Sequence, residues 1–186
     1  MKIVSILPYK ENYTKKGAGA VALWISDFYR DSVYKKNTFI IGNTNNKNYL
    51  TNNYLNININ SINSKFNSTT KEYSKEITNK IKNYNFDIIE IHNRPVMVKE
   101  FYGKINSKII LYFHNDPTTM KGAKSVSERI NLLQKVDKII FISKWVKKRF
   151  FLDLPKLSDN KTQIIYHSID PIKKTIRKKK QIVFVG

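Results

Sequence analysis

Cysteine is absent from this 186-residue chain, which excludes a disulfide framework, a thiolate zinc site, a cysteine nucleophile and redox chemistry through sulfur. Long apolar runs are absent as well. The opening Met1-Lys-Ile-Val-Ser-Ile-Leu-Pro8 is too short for a secretory signal, and no later stretch approaches the ~18 uncharged apolar residues of a spanning helix. The expected location is therefore cytoplasmic. Acidic residues are scarce, with 14 Asp and Glu against 34 Lys and Arg, a formal net charge of +20 and a pI of about 10.0. Such a balance favours polyanions: anionic lipid headgroups, phosphorylated acceptors or nucleic acid. An AT-rich codon bias towards Lys, Asn and Ile would give the same charge without any partner. The basic and aromatic residues are not gathered into a nucleic-acid reading motif, which argues against that partner.

What is present is a regular alternation of apolar patterns. Short apolar runs read as strands at Lys2–Leu7, Thr38–Ile41, Asp87–Ile91, Lys108–Phe113, Lys138–Ile142 and Thr162–Tyr166. Tyr54–Asn60 alternates apolar and polar residues with period two, the mark of a half-exposed edge strand, inside an Asn-rich loop region from Asn43 to Ser68. Helical spacing appears from Val21 to about Tyr34, through Tyr73, Ile77, Ile81 and Tyr84, near Val96–Ile105, through Val126, Ile130 and Leu133, and over Trp145–Leu152. Strand and helix alternate, which predicts an α/β fold: a doubly wound, mostly parallel, Rossmann-like sheet with helices on both faces. Residues 1–170 are assigned to this domain. Residues 171–186 hold a basic connector, Lys173–Lys180, and then Gln181-Ile-Val-Phe-Val-Gly186, which reads as the first strand of a missing C-terminal domain.

All three histidines, His92, His114 and His167, close an apolar strand run. Ligands of open α/β sheets sit outside the carboxyl ends of the strands, so the three predict one shared cleft. His114, in Tyr112-Phe-His-Asn-Asp-Pro117, is the candidate catalytic group, able to exchange a proton near neutral pH with Asp116 close in sequence. His92 is placed to orient His114 or bond a sugar, and Arg94 to meet a phosphate with its planar fork; each has the alternative of capping its loop. Three imidazoles also suit zinc, but the close spacings of metal ligands are missing, and no metal is assigned. Gly17-Ala18-Gly19-Ala20 fits a loop that lets backbone approach a diphosphate at a helix N-terminus, or equally a small-residue start for close packing. A nicotinamide site is disfavoured, since the first glycine lies far past the strand and no acidic residue follows Ile40-Ile-Gly-Asn43. Lys144, Lys147, Lys148 and Arg149 around Trp145 and Phe150 form a basic aromatic helix that either lies on a lipid interface or packs its apolar face inward.

Taken in order, several segments resemble the N-terminal domain of glycosyltransferase family 4. They are Lys2–Leu7, the Gly17-Ala-Gly-Ala loop, Phe86-Asp-Ile-Ile-Glu-Ile-His92, Ile109-Ile-Leu-Tyr-Phe-His114, Val136-Asp-Lys-Ile-Ile-Phe-Ile-Ser-Lys144, Ile164-Ile-Tyr-His-Ser-Ile-Asp170 and Ile182–Gly186. The resemblance implies the N-terminal half of a GT-B architecture. It further implies a retaining transferase that uses a nucleotide-sugar donor and a glycan or lipid-linked acceptor, without cofactor or metal, in cell-envelope polysaccharide or glycolipid synthesis. It also implies that the glycine loop approaches the donor diphosphate and that His114 lies near the transferred sugar. Arg94, Asp116, Ser143 and His167 are carried along as donor- or acceptor-binding residues. Two departures stand out: His167-Ser168 replaces the family's Asn-Gly, and no glutamate pair has the seven-residue separation that the family's second domain supplies. The expectation is an acceptor-side half with little activity alone, and contact with the inner face of a membrane is compatible with its charge. The alternative is a non-catalytic basic module that binds anionic membrane or nucleic acid.

Overall fold

Runs such as Ile88-Ile-Glu-Ile91 and Ile109-Ile-Leu-Tyr-Phe113 carry apolar side chains on both faces, as a strand does when helices cover both sides of its sheet. A computed structural model describes residues 1–59, 68–156 and 160–168. Its strands are β1 (Ile3–Ile6), β2 (Thr38–Gly42), β3 (Tyr54–Asn56), β4 (Ile88–His92), β5 (Lys108–Phe113), β6 (Lys138–Phe141) and β7 (Thr162–Ile164). They form one sheet in the order β3-β2-β1-β4-β5-β6-β7, with every neighbouring pair parallel. The sheet grows one way from β1 through β2 to β3 and the other way from β4 to β7. A crevice therefore opens outside the carboxyl ends of β1 and β4, where consecutive connections part.

The helices divide unequally. Helix α1 (Ala20–Arg30) covers one face with Ala22, Trp24, Ile25 and Tyr29, all buried. Helices α2 (Thr69–Ile81), α3 (Val98–Phe101), α4 (Val126–Lys135) and α5 (Lys144–Phe150) cover the other. That second face holds the larger apolar core, in which Phe150 packs against Phe113 at 5.5 Å and Phe141 at 5.3 Å between ring centroids. Each such buried side chain contributes roughly 1.5–3 kcal/mol of transfer free energy. Helix starts are held by hydroxyls: Ser68 caps α2, Ser125 makes a reciprocal capping box with Glu128 on α4, and Ser143 caps α5.

Period-two alternation sorts the strand residues by chemistry. Ile89 and Ile91 on β4 and Leu111 and Phe113 on β5 join the large core. Their neighbours Glu90, His92 and Tyr112, with Ser5 of β1, point instead towards α1 and are all buried. A polar layer thus lies under α1, and it ends at the carboxyl edge of the sheet.

Several boundaries differ from the sequence reading, each for a local reason. Helix α1 stops at Arg30 and not near Tyr34, because the Ser32 hydroxyl accepts the Tyr34 amide at 3.1 Å and competes with the helical bond. Tyr84 lies beyond α2, in a turn stacked on Phe86. The segment expected as one helix over 96–105 is a 3-10 turn (Pro95–Met97) and the single turn of α3, closed where Gly103 takes φ 72°. Strand β3 ends at Asn56, as its partner β2 runs out at Gly42. The polar segment before Lys16 is anchored: Tyr13 is fully buried and stacked on Tyr54 at 4.9 Å. The basic run Lys173–Lys180 and the closing strand 181–186, with the domain boundary drawn there, lie outside the described residues. Among the described residues no helix is long and apolar enough to cross a membrane.

Candidate functional site

The end of β4 builds the first wall. Asn93 follows His92 in the left-handed region (φ 53°), which an Asn side chain tolerates, and its Oδ1 accepts the backbone N–H of His114 at 2.8 Å. This bond pins the first residue past β4 to the first residue past β5. The two histidines, on the same side of adjacent strands, are thereby brought into contact.

His92 Nδ1 lies 2.9 Å from His114 Nε2, and His114 Nδ1 lies 3.1 Å from His167 Nε2. At the inner end His92 Nε2 meets the Ser5 hydroxyl at 2.8 Å, with Glu90 Oε2 at 3.8 Å. The result is a continuous hydrogen-bonded row from Ser5 through three imidazoles to the surface. His92 is fully buried, His114 is 7% exposed, and His167 is exposed. Trp24 of α1 roofs the row, with ring centroids 5.8, 4.9 and 5.1 Å from His92, His114 and His167 and 5.6 Å from Tyr112.

Burial dominates the electrostatics. It pushes the His114 pKa down to about 2, with the neighbouring His92 and His167 adding to the effect, so this ring is neutral at physiological pH. Burial lowers His167 as well. Deeper still, Glu90 accepts hydrogen bonds from Tyr29 Oη at 2.7 Å and Tyr112 Oη at 3.1 Å. Burial, and then the Glu90 charge, raises both phenols far above their ordinary range, and they stay protonated as donors.

In front of the row is an open cleft of about 450 Å³ lined by Glu11, Val21, Arg94, His114, Asn115 and His167, among others. The predicted residues divide as follows. His114, His167 and the exposed Arg94 line the cleft, and His92 supports them from behind. Gly19 stands at the N-cap of α1 with no side-chain cap of its own, and the Glu11 carboxylate fills that place, accepting the Ala22 N–H at 3.3 Å. A Cβ at Gly19 would overlap that carboxylate. Gly17 and Ala18 precede the helix and are not among the lining residues. Asp116 is also set apart: its oxygens accept from Thr118 and, at 2.8 Å, from Arg149 Nε. These bonds outweigh partial burial and hold its carboxyl below the usual range. The Ser143 hydroxyl caps α5. The basic helix α5 buries Val146 and Phe150 and leaves Trp145 exposed.

The sequence reading missed Ser5, Glu11, Trp24, Glu90 and Asn93. Strand parity was the available signal for Ser5 and Glu90, which share a face with His92. Glu11 reaches the site from a long loop and had no such signal. Among the described residues no group of His, Asp or Glu is arranged to hold a metal ion; each inner imidazole spends both nitrogens along the row.

No protein-family model matches the chain. Over 137 residues it is 27% identical to Putative glycosyltransferase YtcC of Bacillus subtilis (strain 168), covering 62% of this chain and 33% of YtcC. Among solved structures it is similar to sucrose-phosphate synthase from Thermosynechococcus elongatus (TM-score 0.64, 9% identity, 89% of this chain and 48% of that one). It is similar also to the lipopolysaccharide outer core galactosyltransferase WaaB in its apo form (TM-score 0.63, 15% identity, 93% and 47%). Anabaena Alr3699/HepE in complex with UDP-glucose gives a TM-score of 0.58 at 12% identity, over 91% and 44%. The chain thus spans a third of YtcC and about half of each structure. At these identities the structures show the fold: it is the Rossmann-like α/β fold of GT-B glycosyltransferases.

Proposed function

We propose that this chain is the acceptor-side lobe of a retaining, nucleotide-sugar-dependent glycosyltransferase of family 4. The observation that carries the reading is the cleft at the carboxyl ends of β1, β4 and β5, where His114, His167 and Arg94 face one space. Arg94 offers a planar, permanently charged fork to a phosphate, and the outermost imidazole, His167, offers a donor or an acceptor to a sugar hydroxyl. Similarity to YtcC and to a structure holding UDP-glucose supports the same reading. A second lobe would supply most contacts to the nucleotide, so the chain alone would transfer little. Stabilising the charge on the departing nucleoside diphosphate would be the main catalytic contribution, with no metal required. The acceptor would be a glycan or lipid-linked glycan of the cell envelope, met at the inner face of the membrane, where a net charge of +20 favours anionic headgroups.

The test is transfer by the full-length protein. Supplied with UDP-, GDP- and ADP-sugars and lipid-linked acceptors, it should release nucleoside diphosphate, and His114→Ala should slow release by about 100-fold or more. Absence of release from every donor, or undiminished transfer by His114→Ala, would refute the reading.

A further inference from the structure

Both ring nitrogens of His114 are engaged by other imidazoles, Nε2 by His92 at 2.9 Å and Nδ1 by His167 at 3.1 Å. In either tautomer, a ring bonded on both sides has no nitrogen left for a substrate. His167 differs: among the described residues it uses only Nε2, its Nδ1 is open, it lines the cleft, and its ring lies against Trp24 at 5.1 Å. At the opposite end, His92 is the ring that sits beside a carboxylate, with Nε2 3.8 Å from Glu90 Oε2.

We infer that His167 is the imidazole that meets the substrate, and that His114 and His92 are positioning residues that fix its tautomer and carry its proton inward to His92, beside the Glu90 carboxylate. The row supports two directions of hydrogen bonding. In one, His167 Nε2–H donates to His114 Nδ1, His114 Nε2–H donates to His92 Nδ1, and His92 Nε2–H donates to Ser5 Oγ. His167 Nδ1 is then a lone pair facing the cleft. In the other, Ser5 donates inward to His92, every bond reverses, and His167 Nδ1–H faces the cleft as a donor.

The identity of the substrate rests on the glycosyltransferase reading; the relay does not. As the acceptor oxygen bonds to the anomeric carbon, the bond from that carbon to the diphosphate breaks and the electron pair leaves with the nucleoside diphosphate. The hydroxyl proton passes to His167 Nδ1. His167 gives its Nε2 proton to His114 Nδ1, and His114 gives its Nε2 proton to His92 Nδ1. One proton has entered, and His92, keeping its Nε2–H, holds the charge beside Glu90 until the reverse path returns it to water. The groups around the row fit this traffic. Ser5 comes from β1, Glu90 from β4 and Tyr112 from β5; Trp24 and Tyr29 come from α1, and Glu11, Arg94 and Asn115 from the loops. The two tyrosine hydroxyls already brace the Glu90 carboxylate.

Two substitutions separate the claims. His167→Gln places an amide where Nε2 stands and removes Nδ1; His167→Ala removes the link altogether. With 15N-labelled histidine, long-range 1H–15N spectra of the 186-residue chain should show one fixed tautomer each for His92 and His114. That pattern should survive in His167→Gln, and His114 should average between tautomers in His167→Ala. In the full-length protein His167→Gln should lower kcat at least tenfold with little change in KM. His114 resonances indifferent to His167→Ala would overturn the relay, and a wild-type kcat in His167→Gln would overturn the substrate-facing role. A wild-type protein that releases no nucleoside diphosphate would sink the transferase reading instead, while the spectra still decide the relay.

Discussion

The carboxylate of Glu11 occupies the start of α1, with Oε1 3.3 Å from the amide nitrogen of Ala22. The first turn of a helix presents unsatisfied amides and a partial positive charge, and here a side chain of the same molecule takes the place open to an anion. Glu11→Gln should therefore bind UDP about two- to fivefold more tightly, the size of a single helix-terminus interaction. Calorimetric titration measures this, and weaker binding by the variant would mean that Glu11 contacts the ligand itself.

Acid should destabilise the fold through His114. Its folded pKa is about 2 against 6.5 in an unfolded chain, so between these values the unfolded state binds a proton that the folded state refuses. The stability is fully present above pH 6.5 and is lost as pH falls towards 2, at about 1.4 kcal/mol per pH unit for one such group. Urea denaturation should show little loss near pH 7.5 and a loss that steepens towards this slope between pH 6 and 5, reduced in His114→Gln whatever that variant's stability at neutral pH.

Tyr29→Phe removes a hydroxyl that donates to a buried carboxylate at 2.7 Å, and should cost about 1.5–3 kcal/mol by urea denaturation. Tyr112→Phe, whose bond is 3.1 Å, should cost less, and the double variant should deviate from additivity because both hydroxyls serve Glu90.

On the opposite face, Phe150→Ala should cost about 3–5 kcal/mol, since the ring is fully buried between Phe113 and Phe141. Trp145→Ala, five residues earlier on the same helix, removes a side chain that is 57% exposed and should change stability by about 0.5 kcal/mol or less.

The parallel sheet and the meeting of three histidines were legible from apolar runs that each end in an imidazole, because strand ends converge whatever the loops do. The order of contact was not. That His114 lies between His92 and His167 depends on Asn93 turning at φ 53° and gripping the His114 amide, a side-chain bond that no periodicity announces. Asp116 lies near His114 in sequence and looked like its partner. Its carboxylate is held instead by Thr118 and Arg149, the latter brought in by α5 from 33 positions along the chain. Glu90 was readable, since it shares strand parity with His92. Glu11 and the burial of Tyr13 were not, because the loop that carries them is ordered by tertiary bonds such as Tyr13 N–H to Thr44 Oγ1.

Trp24 touches every imidazole of the row, and the chain has one other tryptophan, the exposed Trp145. Indole emission is quenched by a nearby imidazolium, so in a Trp145→Phe background the tryptophan emission, excited selectively over the tyrosines, belongs to Trp24 alone. The protein thereby carries its own optical gauge of charge in the cleft, readable without a label.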